Sequence, residues 1–188
     1  LLETQIDRLS YLAFMQRGID QAKEYDFMVL DKKGLNNINA SFQKKSKKAW
    51  SNNVPGFFTR QGYEEVFLPN YQKAADNFTK ESWVLGGSVG RLQDSQQLAS
   101  EYQKFYQEDY IAAWQAFLQD LAPQNIPNLQ AAKTVLIGLT SNESNLLFRL
   151  MEEVTAQTNF EPTKNKALLS FSNEAELAPL AAVDAQFK

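Results

Sequence analysis

The chain has 188 residues, with 22 acidic against 19 basic side chains and a formal net charge of −3 at pH 7. That length suffices for one sizeable domain burying roughly 70% of the surface its unfolded chain exposes, and the charge lacks the basic excess a nucleic-acid partner requires. Cysteine and histidine are both absent, which removes disulfides, thiolate nucleophiles, imidazole bases and the usual zinc ligands.

No basic n-region followed by an apolar h-region opens the sequence, and no apolar run approaches the roughly 18 residues of a membrane span. The expectation is a soluble piece of a longer protein whose membrane attachment lies elsewhere. A cysteine-free chain fits cytoplasm and periplasm alike.

Leu2, Ile6, Leu9, Ala13 and Ile19 recur at helical spacing, predicting an amphipathic helix through the first thirty residues that breaks near Asp31-Lys32-Lys33-Gly34. Residues 1–34 are read as an N-terminal helix that could continue from a preceding domain, and residues 35–188 as the helical domain proper. Ile38, Phe42 and Ala49-Trp50 suggest a shorter helix, ended by Ser51-Asn52-Asn53 and Pro55-Gly56, where Pro55 biases Val54 away from helical angles.

Thr59 is placed to cap the next helix, with Glu64 and Glu65 near its positive end and Tyr63, Val66, Phe67, Tyr71, Ala74 and Phe78 along one face. Pro69 should kink or restart it. The run Trp83-Val84-Leu85 then stops at Gly86-Gly87, as an extended segment or a tight corner. From Leu92 to about Leu121 lies the clearest helix, with Tyr102, Tyr106, Tyr110, Ala113, Phe117 and Leu121 stepping by threes and fours.

Beyond Pro123 and Pro127, Asn128 can cap a helix carrying Leu129, Ala132, Val135, Leu136 and Leu139. A further helix uses Leu146, Leu147, Leu150, Met151 and Val154, with Ser141, Asn142 or Ser144 as alternative caps. Leu168, Leu169 and Phe171, then Leu177, Leu180, Val183 and Phe187, suit a short strand or helix docked on the rest. The fold class is all-α, a multi-helix bundle with short loops, any extended segment falling near residues 83–85 or 167–171.

Candidate chemistry is sparse. Gly86-Gly87-Ser88-Val89-Gly90 precedes a helix as a phosphate cradle would, yet Arg91-Leu92 follows where Lys-Ser/Thr is required, and a structural corner is the better reading. Glu64/Glu65, Glu108/Asp109 and Glu152/Glu153 are adjacent on helices and point about 100° apart, so solvated faces are preferred to facing catalytic acids. An envelope hydrolase using paired carboxylates is the alternative from another class. Asp109 suits an ion pair or hydrogen bond to a neighbouring helix. No catalytic, metal-binding or cofactor-binding residue is assigned.

Lys44, Lys45, Lys47 and Lys48, with Phe42 and Trp50 nearby, form the basic cluster. A solvated face, or a rim contact to an acidic protein patch, is favoured over nucleic acid or lipid. Trp50, Phe57 and Phe58 sit beside a turn, as an exposed contact patch or packed beneath it.

Two blocks carry a family resemblance. The first is Val54-Pro55-Gly56-Phe57-Phe58-Thr59-Arg60-Gln61-Gly62-Tyr63-Glu64-Glu65-Val66-Phe67-Leu68-Pro69, followed by Glu81-Ser82-Trp83-Val84-Leu85-Gly86-Gly87. The second places Tyr106, Asp109, Tyr110, Ile111, Trp114, Phe117, Leu118 and Leu121 at the spacing Y-x-x-D-Y-I-x-x-W-x-x-F-L-x-x-L. Together they resemble the C-terminal region of the IcmF/TssM family, large inner-membrane subunits of bacterial type VI secretion machines. The departure is Ser144-Asn145-Leu146, where the family often has Ser-Pro-Leu.

The resemblance implies a helical subdomain on the periplasmic side of the inner membrane, acting as a non-enzymatic scaffold. Its motif residues, Pro55, Phe58, Thr59, Gly62, Tyr63, Phe67, Trp83, Gly86, Tyr106, Asp109, Tyr110, Trp114 and Phe117, would then be structural. Implied partners are a TssL-type inner-membrane protein, further copies of the full-length subunit, and a TssJ-type outer-membrane lipoprotein met mainly through a following β-rich domain. The related IcmF subunit of a Dot/Icm-type machine shares this region.

Overall fold

The computed structural model describes residues 2–32, 35, 38–51, 53–84, 94–140 and 146–159. Its axis is the long helix α5, Ser95–Asp120, opened by Asp94, whose side chain accepts a hydrogen bond from the Gln96 amide. The helix starts three residues later than the apolar pattern suggests, because that cap fixes its first turn. Leu98, Ala99, Tyr102, Phe105, Tyr106, Tyr110, Trp114 and Phe117 are buried along one face, as a spacing of three and four residues requires.

Helix α1, Leu2–Gln21, packs across α5 and ends ten residues before the expected break. Two 3₁₀ turns, Lys23–Tyr25 and Val29–Asp31, carry the chain onward. Its buried face also differs from the expected Ile6, Leu9, Ala13 stripe. Tyr11 and Phe14 face the core, with Asp7 and Ser10 also buried, whereas Leu9 is 65% exposed. Two aromatic rings bury more apolar surface than the aliphatic stripe and set the rotation of the helix; Ser10 is accommodated because Tyr102 donates to its hydroxyl at 2.9 Å and it donates to the Asp7 carbonyl at 2.8 Å.

A single turn, α2 (Ile38–Ser41), leads directly into β1, Phe42–Lys44, where a longer helix is expected. Strand β1 pairs antiparallel with β2, Leu121–Pro123, in the register Phe42↔Pro123, Gln43↔Ala122, Lys44↔Leu121. The proline explains the site. Pro123 cannot continue α5 and biases Ala122 to extended angles, which leaves a short edge for β1 to pair. Extended structure therefore lies here, and not at Trp83-Val84, which close helix α4. Leu85 and residues 167–171 fall outside the described residues.

The next segment enters through a 3₁₀ turn, Gly56–Phe58, then α3 (Arg60–Gly62), a π-helical turn (Tyr63–Phe67) and α4 (Leu68–Val84). The wide π turn ends at Phe67, just ahead of Pro69, which has no N–H and would crowd the carbonyl four residues back in a regular helix. The restart expected at Pro69 takes this form. Helix α4 lies along α5.

Helix α6, Leu129–Thr140, is capped as expected, the Asn128 Oδ1 accepting from the Ala131 amide at 2.9 Å. Val135 is buried, but Leu129 is 85% exposed and is not part of the packed face. Helix α7, Leu146–Thr158, buries Leu146, Leu150 and Val154. Its proposed caps Ser141, Asn142 and Ser144, and the Gly86–Gly90 cluster, lie outside the described residues. Residues from α1, the 54–67 segment, α5 and α7 share one apolar core.

Candidate functional site

The motif-rich turn at residues 54–62 is locked to α5 by main-chain acceptors. Tyr106 donates its hydroxyl proton to the Phe57 carbonyl at 2.7 Å, and Trp114 Nε1 donates to the Phe58 carbonyl at 2.8 Å. Tyr110 donates to the Gln157 carbonyl at 2.6 Å, bringing the end of α7 to the same place. These two turn carbonyls are thus satisfied deep inside the protein, where an unpaired one would cost about 1–3 kcal/mol.

Thr59 closes the turn on itself. Its hydroxyl donates to the Gly56 carbonyl at 2.7 Å and accepts from the Gly62 amide at 3.1 Å, the cap read from the sequence. The Gly56 amide donates to Asp26 Oδ1 at 2.6 Å. Gly62 is required by contact, since a Cβ there would overlap the Gly56 carbonyl.

Phe57 is fully buried and Phe58 nearly so, while Trp50 is half-buried and packs on the core. The exposed aromatic patch considered for these three residues is therefore not formed. The rings of Phe57 and Phe58 pass under the turn, where Tyr106 and Trp114 hold the carbonyls of these two residues. Phe67 stacks on Tyr106 at 3.9 Å between centroids, and Phe57 meets it edge-on at 5.2 Å. Phe27 lies 4.9 Å from Trp114, and Phe117 5.8 Å from Phe27. Tyr63 stacks on Phe67.

Burial pushes the phenols of Tyr106 and Tyr110 up. Tyr11 is raised by burial first and by the Asp109 charge second. All three hydroxyls are held protonated, and those of Tyr106 and Tyr110 act as hydrogen-bond donors.

The interhelical ion pair expected of Asp109 is present. Arg8 Nη2 donates to its Oδ1 at 2.6 Å, and the guanidinium lies over the rings of Tyr11 (5.2 Å) and Phe105 (4.9 Å). Glu64 pairs with Arg60 at 3.0 Å and Glu153 with Lys32 at 4.0 Å. One member of each adjacent carboxylate pair is thus committed to a cation. Among the described residues no group of three or more acids is placed to hold a metal ion.

The lysine run is divided. Lys44 Nζ is largely buried, 3.8 Å from Asp120 and donating to Asn53 Oδ1 at 3.2 Å. Lys45 Nζ donates to the Gln119 carbonyl at 2.7 Å, and its amide donates to the Asp120 carbonyl. The Ser46 amide and hydroxyl both donate to the Asp120 carboxylate at 2.7 Å. These groups satisfy and neutralise the negative end of α5. Lys47, at φ 58°, and Lys48 remain exposed.

Of the other motif residues, Trp83 lies in the last turn of α4 and Gly86 lies outside the described residues. Pro55 supplies the carbonyl that accepts from the Phe58 amide. Arg8, Ser10, Asp26 and Gln157 were not signalled by the sequence. Arg8 and Asp109 stand 101 positions apart, and no local pattern joins them.

Residues 1–159 match the family described as IcmF-related, intracellular multiplication and human macrophage-killing. The chain is 31% identical over 168 residues to the type VI secretion system component TssM1 of Pseudomonas aeruginosa (strain PAO1), covering 86% of this chain and 15% of that relative. No solved structure matches.

Proposed function

As this chain belongs to the IcmF-related family, we propose that it is a non-enzymatic scaffold segment of a type VI secretion membrane complex, working on the periplasmic side of the inner membrane. The observation that carries this reading is the fate of its reactive groups. The hydroxyls of Tyr106 and Tyr110, the Trp114 indole, Asp109, Lys44 and Lys45 are engaged in joints between elements. Such joints commit those groups to fixing the geometry of the fold. No helix among the described residues is long and apolar enough to cross a membrane, so in this reading the anchor belongs to another part of the parent protein.

The partners proposed are a TssL-type inner-membrane protein, other copies of the parent, and a TssJ-type lipoprotein reached through a neighbouring domain. The family description, with its reference to intracellular multiplication, favours one second reading, an IcmF subunit of a Dot/Icm-type machine with the same scaffold role.

The test is affinity purification of the full-length parent from crosslinked bacterial envelopes, with and without residues 35–188. Loss or destabilisation of a large envelope complex on deletion is expected. Assembly with the same partners in the absence of the segment would overturn the scaffold role.

A further inference from the structure

A groove of about 580 Å³ runs between α1 and α4, apart from the joints at the 54–62 turn. Its apolar lining comes from Ile6, Leu9 and Ala13 on α1 and from Ala74 and Phe78 on α4. The α1 contribution is the aliphatic stripe that the sequence pattern marks as a core face. The core instead takes Tyr11 and Phe14, so α1 has two apolar faces, and the described residues leave the second open, with Leu9 mostly exposed. A stripe at i, i+3 and i+7 that the domain does not use for its own core has the period of a helix-packing surface.

The charges on the rim restrict what fits. Arg17 and Lys73 are both exposed, line the groove and form no ion pair among the described residues. Among the described residues Glu81 is the one carboxylate lining it. Asn70, Asn77 and Gln21 supply uncharged polar groups at the edge. Apolar walls with an excess of unpaired cations complement a helix that is aliphatic on one face and acidic on its flanks.

We propose that the α1/α4 groove is a docking site for an acidic amphipathic helix of another protein. Its leucine-type side chains would enter between Leu9, Ala13 and Phe78, while its carboxylates would meet Arg17 and Lys73. The α1 wall from Ile6 to Gln21 extends about 24 Å at the helical rise per residue, room for about four turns of a partner. Because the groove floor is the already packed face of Phe14 and Tyr102, docking needs no opening of the core.

The test uses the whole 188-residue chain and two labelled synthetic helices of about 18 residues. They share leucines at i, i+3, i+4 and i+7 and differ only in having glutamate or lysine on the flanks. Fluorescence anisotropy should show the acidic peptide binding about three- to tenfold more tightly, with the difference shrinking as salt rises. Leu9→Glu should abolish binding while leaving the circular dichroism spectrum and melting temperature unchanged, since the side chain is exposed. The double variant R17E/K73E should reverse the preference.

Three results would overturn this assignment: equal or absent binding of the two peptides, binding indifferent to Leu9→Glu, or binding seen only after removal of residues 160–188, which would make the chain's own tail the occupant. Self-association of the wild-type chain lost in Leu9→Glu would likewise replace the acidic helix by a second copy. Peptide binding is read independently of complex assembly, so a failed scaffold role and a failed groove are distinguishable.

Discussion

Thr59 and Tyr106 hold the same turn by different means. Thr59 acts within three residues of itself, so the cap was legible in the sequence from its position before the Arg60–Gly62 turn. Tyr106 acts on the Phe57 carbonyl 49 positions away, so its place on the core stripe was legible but its hydroxyl partner was not. Thr59→Ala should lower unfolding free energy by about 1–2 kcal/mol in urea denaturation. Tyr106→Phe keeps the ring and leaves the Phe57 carbonyl unpaired, with an expected loss of about 1–3 kcal/mol. The buried phenols also set a pH limit. Tyr11, Tyr106 and Tyr110 have folded-state pKa values above the ordinary value of 10.0, so their contribution is full below that pH and is lost as pH rises beyond it. Phenolate absorbance of these three tyrosines should therefore appear together with alkaline unfolding, and ionisation of all seven tyrosines in the still-folded protein would contradict their burial.

The α5 terminus illustrates what pattern alone misses. The lysine run was legible as a basic cluster, but its division into clasp and exposed turn depends on Asp120, which reaches Ser46 across 74 positions. The same holds for the β1–β2 ribbon, whose two short strands have no hydrophobic alternation to mark them. The buried face of α1 is not legible for another reason: two helical stripes coexist on it, and periodicity does not say which one the rings of α5 select. The Ser46 hydroxyl holds the Asp120 carboxyl below its usual value against the opposing effect of burial, with smaller contributions from the Ser46 amide and the charges of Lys44 and Lys48. A depressed folded value means that stability from this clasp is present above the unfolded pKa and disappears as pH falls through the folded one. Asp120→Asn should accordingly cost about 1 kcal/mol at neutral pH through its weakened bonds to Ser46 and show less acid destabilisation than the wild type. Parallel urea midpoints at neutral pH and below about pH 4 would check this.

The helical class was readable because α4, α5 and α7 each repeat apolar residues at helical spacing, and the family was readable from the two motif blocks. Which helix touches which was not, because the joints are single hydrogen bonds between distant positions. Those joints tie α1, the 54–67 segment, α5 and α7 into one core, and the proposed role follows from that continuity. The most direct measurement is secretion of an effector by bacteria carrying graded variants of the full-length parent, plotted against the melting temperature of the corresponding domain. Thr59→Ala, Tyr106→Phe and Asp120→Asn would supply the destabilised series, and Glu65→Gln and Glu108→Gln, at exposed positions, the carboxylate controls. The scaffold account predicts that secretion falls only as the folded fraction falls, with both glutamate variants at wild-type levels. A glutamate variant that melts like the wild type yet abolishes secretion would contradict it and point to chemistry at that carboxylate.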